Sequence, residues 1–114
     1  MTPEIKTAWL AALRSGEYKQ TQKTLKNATG YCCLGVLCHV IKGNYPGQID
    51  EGLERITIFG DGGDSEDDEL TVGLVRTLGI GSFVTEAMDR NDGVKGPPQT
   101  FAEIADWLEK VLPR

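Results

Sequence analysis

The sequence predicts an α+β fold, mainly helical, with a central buried helix and a small antiparallel sheet. Three features lead there. Residues 31–41 are apolar on nearly every face, the mark of a helix enclosed by the rest of the chain. Both ends of the chain carry amphipathic helical stripes with capping residues. Between them, residues 53–59 alternate as a short strand does, with Ile56 and Ile58 on one face. A length of 114 residues fits a single domain, 1–114.

The elements follow in order. Thr2 caps a first helix and Pro3 suits its first turn, where a missing N–H costs nothing. Ile5, Ala8, Trp9, Ala12 and Leu13 form its stripe, and Ser15-Gly16 ends it. Residues 18–25 lack a helical stripe and read as extended, placing Lys19, Thr21, Lys23 and Leu25 on one side and Tyr18, Gln20, Gln22 and Thr24 on the other. Residues 27–30 are a loop. In the buried helix Leu34, Leu37, Cys38 and Ile41 make one face, Cys33, Val36 and Val40 a second, and Gly35 lets another element approach closely. Gly43 stops it and residues 44–47 turn. After the strand, residues 60–69 form a Gly- and acid-rich loop. Short helices follow over 70–78 and 82–90, then a loop from Asn91-Asp92-Gly93 through Pro97-Pro98. Thr100 and Glu103 form a capping box for the last helix, whose stripe is Phe101, Ile104, Ala105, Leu108, Val111 and Leu112, with Pro113 as its stop.

Charge narrows the function. The net charge is −5, with residues 1–49 at +4 and residues 50–114 at −9. Six of the anions lie in one loop (Asp61, Asp64, Glu66, Asp67, Asp68, Glu69), and without them the rest is +1. That balance excludes extended nucleic acid as a partner, since neutralising phosphates needs many cations, and leaves room for one small anion. No apolar run is long enough for a membrane span, and the N-terminus lacks the regions of a signal peptide, so the expected setting is the cytoplasm. Three cysteines, two of them adjacent, suit reduced thiols rather than a disulfide framework.

Cys32 or Cys33 at a helix N-terminus has the position of an activated thiol, where the dipole lowers its pKa. The one histidine, His39, lies about 9–10 Å further along the same helix at 1.5 Å per residue. That is too far for a base, so no catalytic residue is assigned, and Cys33 and Cys38 read as small core residues. The cysteines and histidine do not converge as zinc ligands, and the acidic loop lacks the calcium-loop pattern, so neither a metal nor a cofactor is expected. The basic run Arg14, Lys19, Lys23 and Lys26, interleaved with Tyr18, Gln20 and Gln22, pairs charge for phosphate with a ring for stacking and amides for base edges; an exposed edge strand explains the same lysines. Asn91 and Asp92 suit ribose hydroxyls or a plain turn, and Asp89, Arg90 and Asp92 suit pairing across a subunit interface. Trp9 and Trp107 read as core or interface anchors.

Two runs carry a resemblance: Trp9-x-x-Ala12-Leu13-Arg14-Ser15-Gly16-x-Tyr18-x-Gln20 followed by Gly30-Tyr31-Cys32-Cys33-Leu34-Gly35-Val36-Leu37-Cys38, and Asn91-Asp92-Gly93 followed by Thr100-Phe101-x-x-Ile104-Ala105-x-Trp107-Leu108. Together they resemble a family of small proteins found largely in tailed phages and prophages, most described as hypothetical. In that family the loop before the last helix is shorter, so residues 94–99 read as an insertion, and residues 44–80 match poorly. The resemblance transfers no catalytic role. It implies by class analogy a protein that counters host defence, and some such proteins are sponges for nucleotide-derived immune signals. The expected function is therefore sequestration of a small anionic, nucleotide-like molecule by a homo-oligomer, with Arg14, Tyr18, Lys19, Gln20, Lys23, Asn91 and Asp92 as contacts. The alternatives are a protein–protein inhibitor of a host factor and a small nucleotide-signal hydrolase using Cys32, Cys33 or Asp92.

Overall fold

A computed structural model describes residues 2–60, 65–94 and 96–112. Helix α1 spans Pro3–Arg14, capped by the Thr2 hydroxyl, which accepts from the Ile5 N–H. Gly16 follows with φ +77°, the left-handed stop expected of it. Helix α2 spans Cys33–Ile41 and a 3-10 turn continues through Lys42–Asn44, so the chain runs past Gly43 before turning. Strands β1 (Ile49–Glu51), β2 (Ile56–Phe59) and β3 (Ser65–Glu66) form an antiparallel sheet in that order, with Ile49 opposite Ile58 and Glu51 opposite Ile56. Helices α3 (Val72–Leu78), α4 (Val84–Asp92) and α5 (Phe101–Val111) complete the fold. The fold is α+β with a small antiparallel sheet. Among the described residues, no helix is long and apolar enough to cross a membrane.

Helix α2 is the centre. Cys33 through Cys38 and Ile41 are all buried. Helix α1 packs on α2 with Trp9, Leu10 and Leu13, and α5 packs on α1. The Trp9 indole, fully buried, donates to the Cys33 carbonyl at 2.9 Å, which pairs a polar atom that the core would otherwise strand. Ile56 and Ile58 close the sheet face of the core. The capping box of α5 is formed from both sides: Thr100 Oγ1 accepts from Glu103 N–H, and a Glu103 carboxylate oxygen accepts from Thr100 N–H.

Residues 18–25 do not form a strand. Only isolated bridges tie this stretch to its neighbour, Gln20 and Lys26 both meeting Tyr31. The chain then bends, with Lys23 in the left-handed region at φ 68°. The expected alternation breaks there: Thr21 and Leu25 are buried while Lys19 and Lys23 are exposed, although all four share a parity. Leu25 turns inward to lie against α2, and its carbonyl accepts from Cys32 N–H at 3.0 Å. A Cβ on Gly35 would stand 1.8 Å from that carbonyl oxygen, so the expected close approach is real and its partner is the 18–31 loop. Helix α4 also differs from expectation. It runs through Asn91 and Asp92, which were expected in a loop, and Gly93 at φ +76° ends it. Strands β1 and β3 were not expected. The Asp61–Asp64 part of the acidic loop, Lys95 within the 94–99 segment, and Pro113 lie outside the described residues.

Gly35→Ala is expected to destabilise the protein by about 3 kcal/mol or more, because backbone and not a flexible side chain must move. Gly43→Ala, with open space around it, is expected to be neutral or slightly stabilising. Urea denaturation of the two variants measures both.

Candidate functional site

The seven residues expected to contact a ligand divide sharply in the structure. Asn91 is fully buried. Its Oδ1 accepts from Gln20 Nε2 at 2.9 Å and from Cys33 N–H at 3.1 Å, and its Nδ2 donates to the Thr21 carbonyl at 2.8 Å and Asp92 Oδ1 at 3.0 Å. Asp92 Oδ1 in turn accepts from Lys23 N–H at 2.9 Å. Gln20 Nε2 also donates to the Gln99 carbonyl at 2.7 Å. Asn91 is thus a lateral strut joining α4 to the 18–31 loop and the start of α2. Its amide is spent inside the chain and cannot reach ribose hydroxyls. These bonds also explain why α4 keeps two poor helix formers in its last turn: their side chains satisfy other backbone rather than competing for their own.

Arg14 is likewise occupied. It forks onto Asp106 and Glu109 of α5, at 2.8 Å each. Arg90, one of the residues expected to pair across a subunit interface, binds Glu86 and the Gln99 side chain and stacks over Trp107 at 4.4 Å within the chain. Two surface cavities, of about 330 and 440 Å3, lie away from the basic segment. Charges of both signs line each, Glu86, Asp89 and Arg90 in the first and Glu66, Glu69 and Arg76 in the second.

Lys19 and Lys23 stand apart. Both are exposed, and among the described residues neither ammonium group has a partner. Every other cation of residues 1–49 is engaged: Lys6 donates to the Leu112 carbonyl, Arg14 to Asp106 and Glu109, and Lys26 and Lys42 to Glu51. The left-handed backbone of Lys23 costs about 1 kcal/mol for a residue with a Cβ. The Asp92 carboxylate that accepts its N–H helps to fix it there.

A second cluster, not expected from the sequence, centres on Glu51. Its side chain is only 7% exposed, yet it carries two oxygens with four donors. Oε2 accepts from Lys26 Nζ at 2.7 Å and Tyr31 OH at 2.5 Å; Oε1 meets His39 Nδ1 at 2.6 Å and accepts from Lys42 Nζ at 3.0 Å. Burial alone would raise the pKa of this carboxyl. The bonds from Lys26, Tyr31, His39 and Lys42 outweigh that and hold it well below the usual carboxylate range. Tyr18, Tyr31 and His39 pack mutually edge-on, their ring centroids 5.4 to 5.6 Å apart, and Lys26 lies over the Tyr31 ring. Tyr18 thus belongs to this cluster. The sequence did carry a signal: Ile49-Asp50-Glu51-Gly52 and Ile56-Thr57-Ile58 alternate on either side of a turn, which puts Glu51 on the face of the core isoleucines.

The thiols are inert. Cys32 caps α2, with Sγ accepting from Gly35 N–H, but burial outweighs that bond and pushes its pKa up to about 11. Burial likewise pushes Cys33 and Cys38 well above the ordinary thiol value. Neither Cys32 nor Cys33 supplies the thiolate that a hydrolase reading needs.

A family model described as a domain of unknown function, DUF8296, matches residues 1–51, less than half of the chain. That segment holds every group around Glu51 together with Lys19 and Lys23, and excludes Asn91 and Asp92. No curated protein and no solved structure matches the chain.

The Glu51 bonds set an acid dependence. A carboxyl whose folded pKa is depressed stabilises the fold above its unfolded value, near 4.5, and loses that contribution as pH falls through the folded value. Glu51→Gln is therefore expected to cost about 3 kcal/mol at neutral pH. The cost should shrink as pH falls below about 4.5. Denaturant midpoints of both proteins across that range measure it; a pH-independent difference contradicts the ionic role.

Proposed function

We propose that this protein binds and sequesters a small anionic, nucleotide-like molecule without transforming it, acting as a homo-oligomer in the cytoplasm of a phage or prophage host. The observation that carries the reading is the pairing pattern of the cations. In an N-terminal half of charge +4, four cations find partners within the chain, while Lys19 and Lys23 stand exposed on one short loop with no partner among the described residues. That loop is not loose. Asn91 and Asp92 hold its backbone, Gly30 and Gly35 let it lie close to its neighbours, and Lys23 keeps a strained conformation within it. Unpaired lysines on a held backbone, in a loop that also carries Tyr18, are the ingredients of an anion site that also stacks a ring. The contact set thus shrinks from seven residues to Lys19, Lys23 and Tyr18, with Gln20, Asn91 and Asp92 as their support. The buried, protonated thiols favour binding over hydrolysis.

One observation favours the second reading, an inhibitor that docks on a host protein. Leu53, 92% exposed at the tip of the β1–β2 hairpin between Gly52 and Glu54, has the form of an apolar anchor.

Titration calorimetry with a panel of linear and cyclic nucleotides tests the first reading. Lys19→Glu combined with Lys23→Glu is expected to weaken the tightest ligand at least tenfold, and the wild-type protein is expected to return that ligand intact. Unchanged affinity in the double variant, or turnover of the ligand, contradicts it.

A further inference from the structure

The groups around Glu51 do more than neutralise it. Lys26 and Lys42 bring two positive charges to one carboxylate, so the cluster keeps an excess of one before His39 is counted. The partners are unequally placed. Lys26 is drawn inside against Tyr31, its side chain 12% exposed. Lys42 and His39 share Oε1 and stand at the rim, 45% and 32% exposed. With Nδ1 of His39 on the carboxylate, Nε2 faces the other way round the ring, and among the described residues it has no partner. The Tyr18 ring walls the imidazole at 5.4 Å, and its hydroxyl also lacks a partner among the described residues. Stability is a weak reason for such a cluster, because burying charge costs about as much as the pairing returns. A partly exposed lysine and an outward imidazole nitrogen add little to that balance.

We propose that this rim, His39 and Lys42 beside Tyr18 and above the buried Glu51, is the site that grips the phosphate end of a small phosphorylated anion. A phosphate monoester approaches two negative charges at neutral pH. The rim offers Lys42 Nζ as its charged donor, from a cluster with one positive charge in excess, and sets the His39 imidazole and the Tyr18 ring beside it. Glu51 acts from beneath as a buried counter-ion. It fixes the imidazole through Nδ1 and holds Lys42 Nζ beside it, so the donors are placed before the ligand arrives. A polyanionic strand would need a longer track of cations than this rim has. The inference rests on the reading of the chain as a small-anion binder and locates the phosphate within it.

His39 is the sole histidine, so its ring nitrogens can be read in the full chain without ambiguity. Inorganic phosphate and then adenosine monophosphate are titrated against the labelled protein by proton–nitrogen correlation spectroscopy. The expected result is a saturable shift of the His39 nitrogens, with binding weakened about tenfold in His39→Gln and in Lys42→Gln. Glutamine at position 39 keeps an N–H for Glu51, and position 42 is half exposed, so at least one variant retains the fold, which its melting curve verifies. Unshifted His39 nitrogens at millimolar phosphate overturn the proposal. So does unchanged affinity in both variants; if Lys19→Glu with Lys23→Glu still abolishes nucleotide binding, the small-anion reading stands without this site. If no nucleotide binds at all, both fall.

Discussion

A single buried carboxylate, that of Glu51, ties together three parts of the chain. Lys26 and Tyr31 come from the loop that precedes α2, His39 and Lys42 from the end of α2, and Glu51 itself from the first strand. The carboxylate is out of water and has four donors, so losing any inner partner would leave charge in a poor dielectric. It therefore fixes the distance between the sheet and α2. The same contacts fix which cations are consumed and which remain.

The opposite side of the loop is held by a neutral strut. The Asn91 amide uses both of its polar ends on chain far from it in sequence, and Asp92 takes the Lys23 N–H. Gly35 allows the Leu25 carbonyl to rest on α2, where any side chain would collide. The loop is thus pinned by charge at one end, amide bonds at the other and a steric fit between. A loop held this way can present exposed lysines at little further entropic cost, which is what preorganised recognition requires.

Much of the helical frame was legible in the sequence because its signals are local. Thr2-Pro3 and Thr100-Glu103 declare helix starts within four residues, and the all-round apolar run of α2 declares burial. Gly35 declared a close approach, though not its partner. What was not legible depends on distant chain. Residues 18–25 alternate like a strand, but Tyr31, Asn91 and Asp92 bend them into a pinned loop. Asn91 and Asp92 have turn chemistry, and only their lateral partners keep them helical. Alternation around the hairpin can place Glu51 on the core face, but its four donors lie 9 to 25 residues away in sequence and leave no local sign. Of the candidate contacts, Lys19 and Lys23 are exposed with no partner among the described residues, whereas Arg14, Gln20, Asn91 and Asp92 are bound internally.

The acidic balance of the whole chain conceals this arrangement. The chain engages most of its N-terminal cations with internal partners, and the proposed function rests on the few that remain exposed. Native mass spectrometry of the protein purified from host cells tests that account most directly, since it weighs the assembly and its retained ligand together. The account predicts an oligomer carrying a phosphorylated small molecule, released unaltered on unfolding. A bare polypeptide, or a stoichiometric protein partner in place of the small molecule, would contradict it.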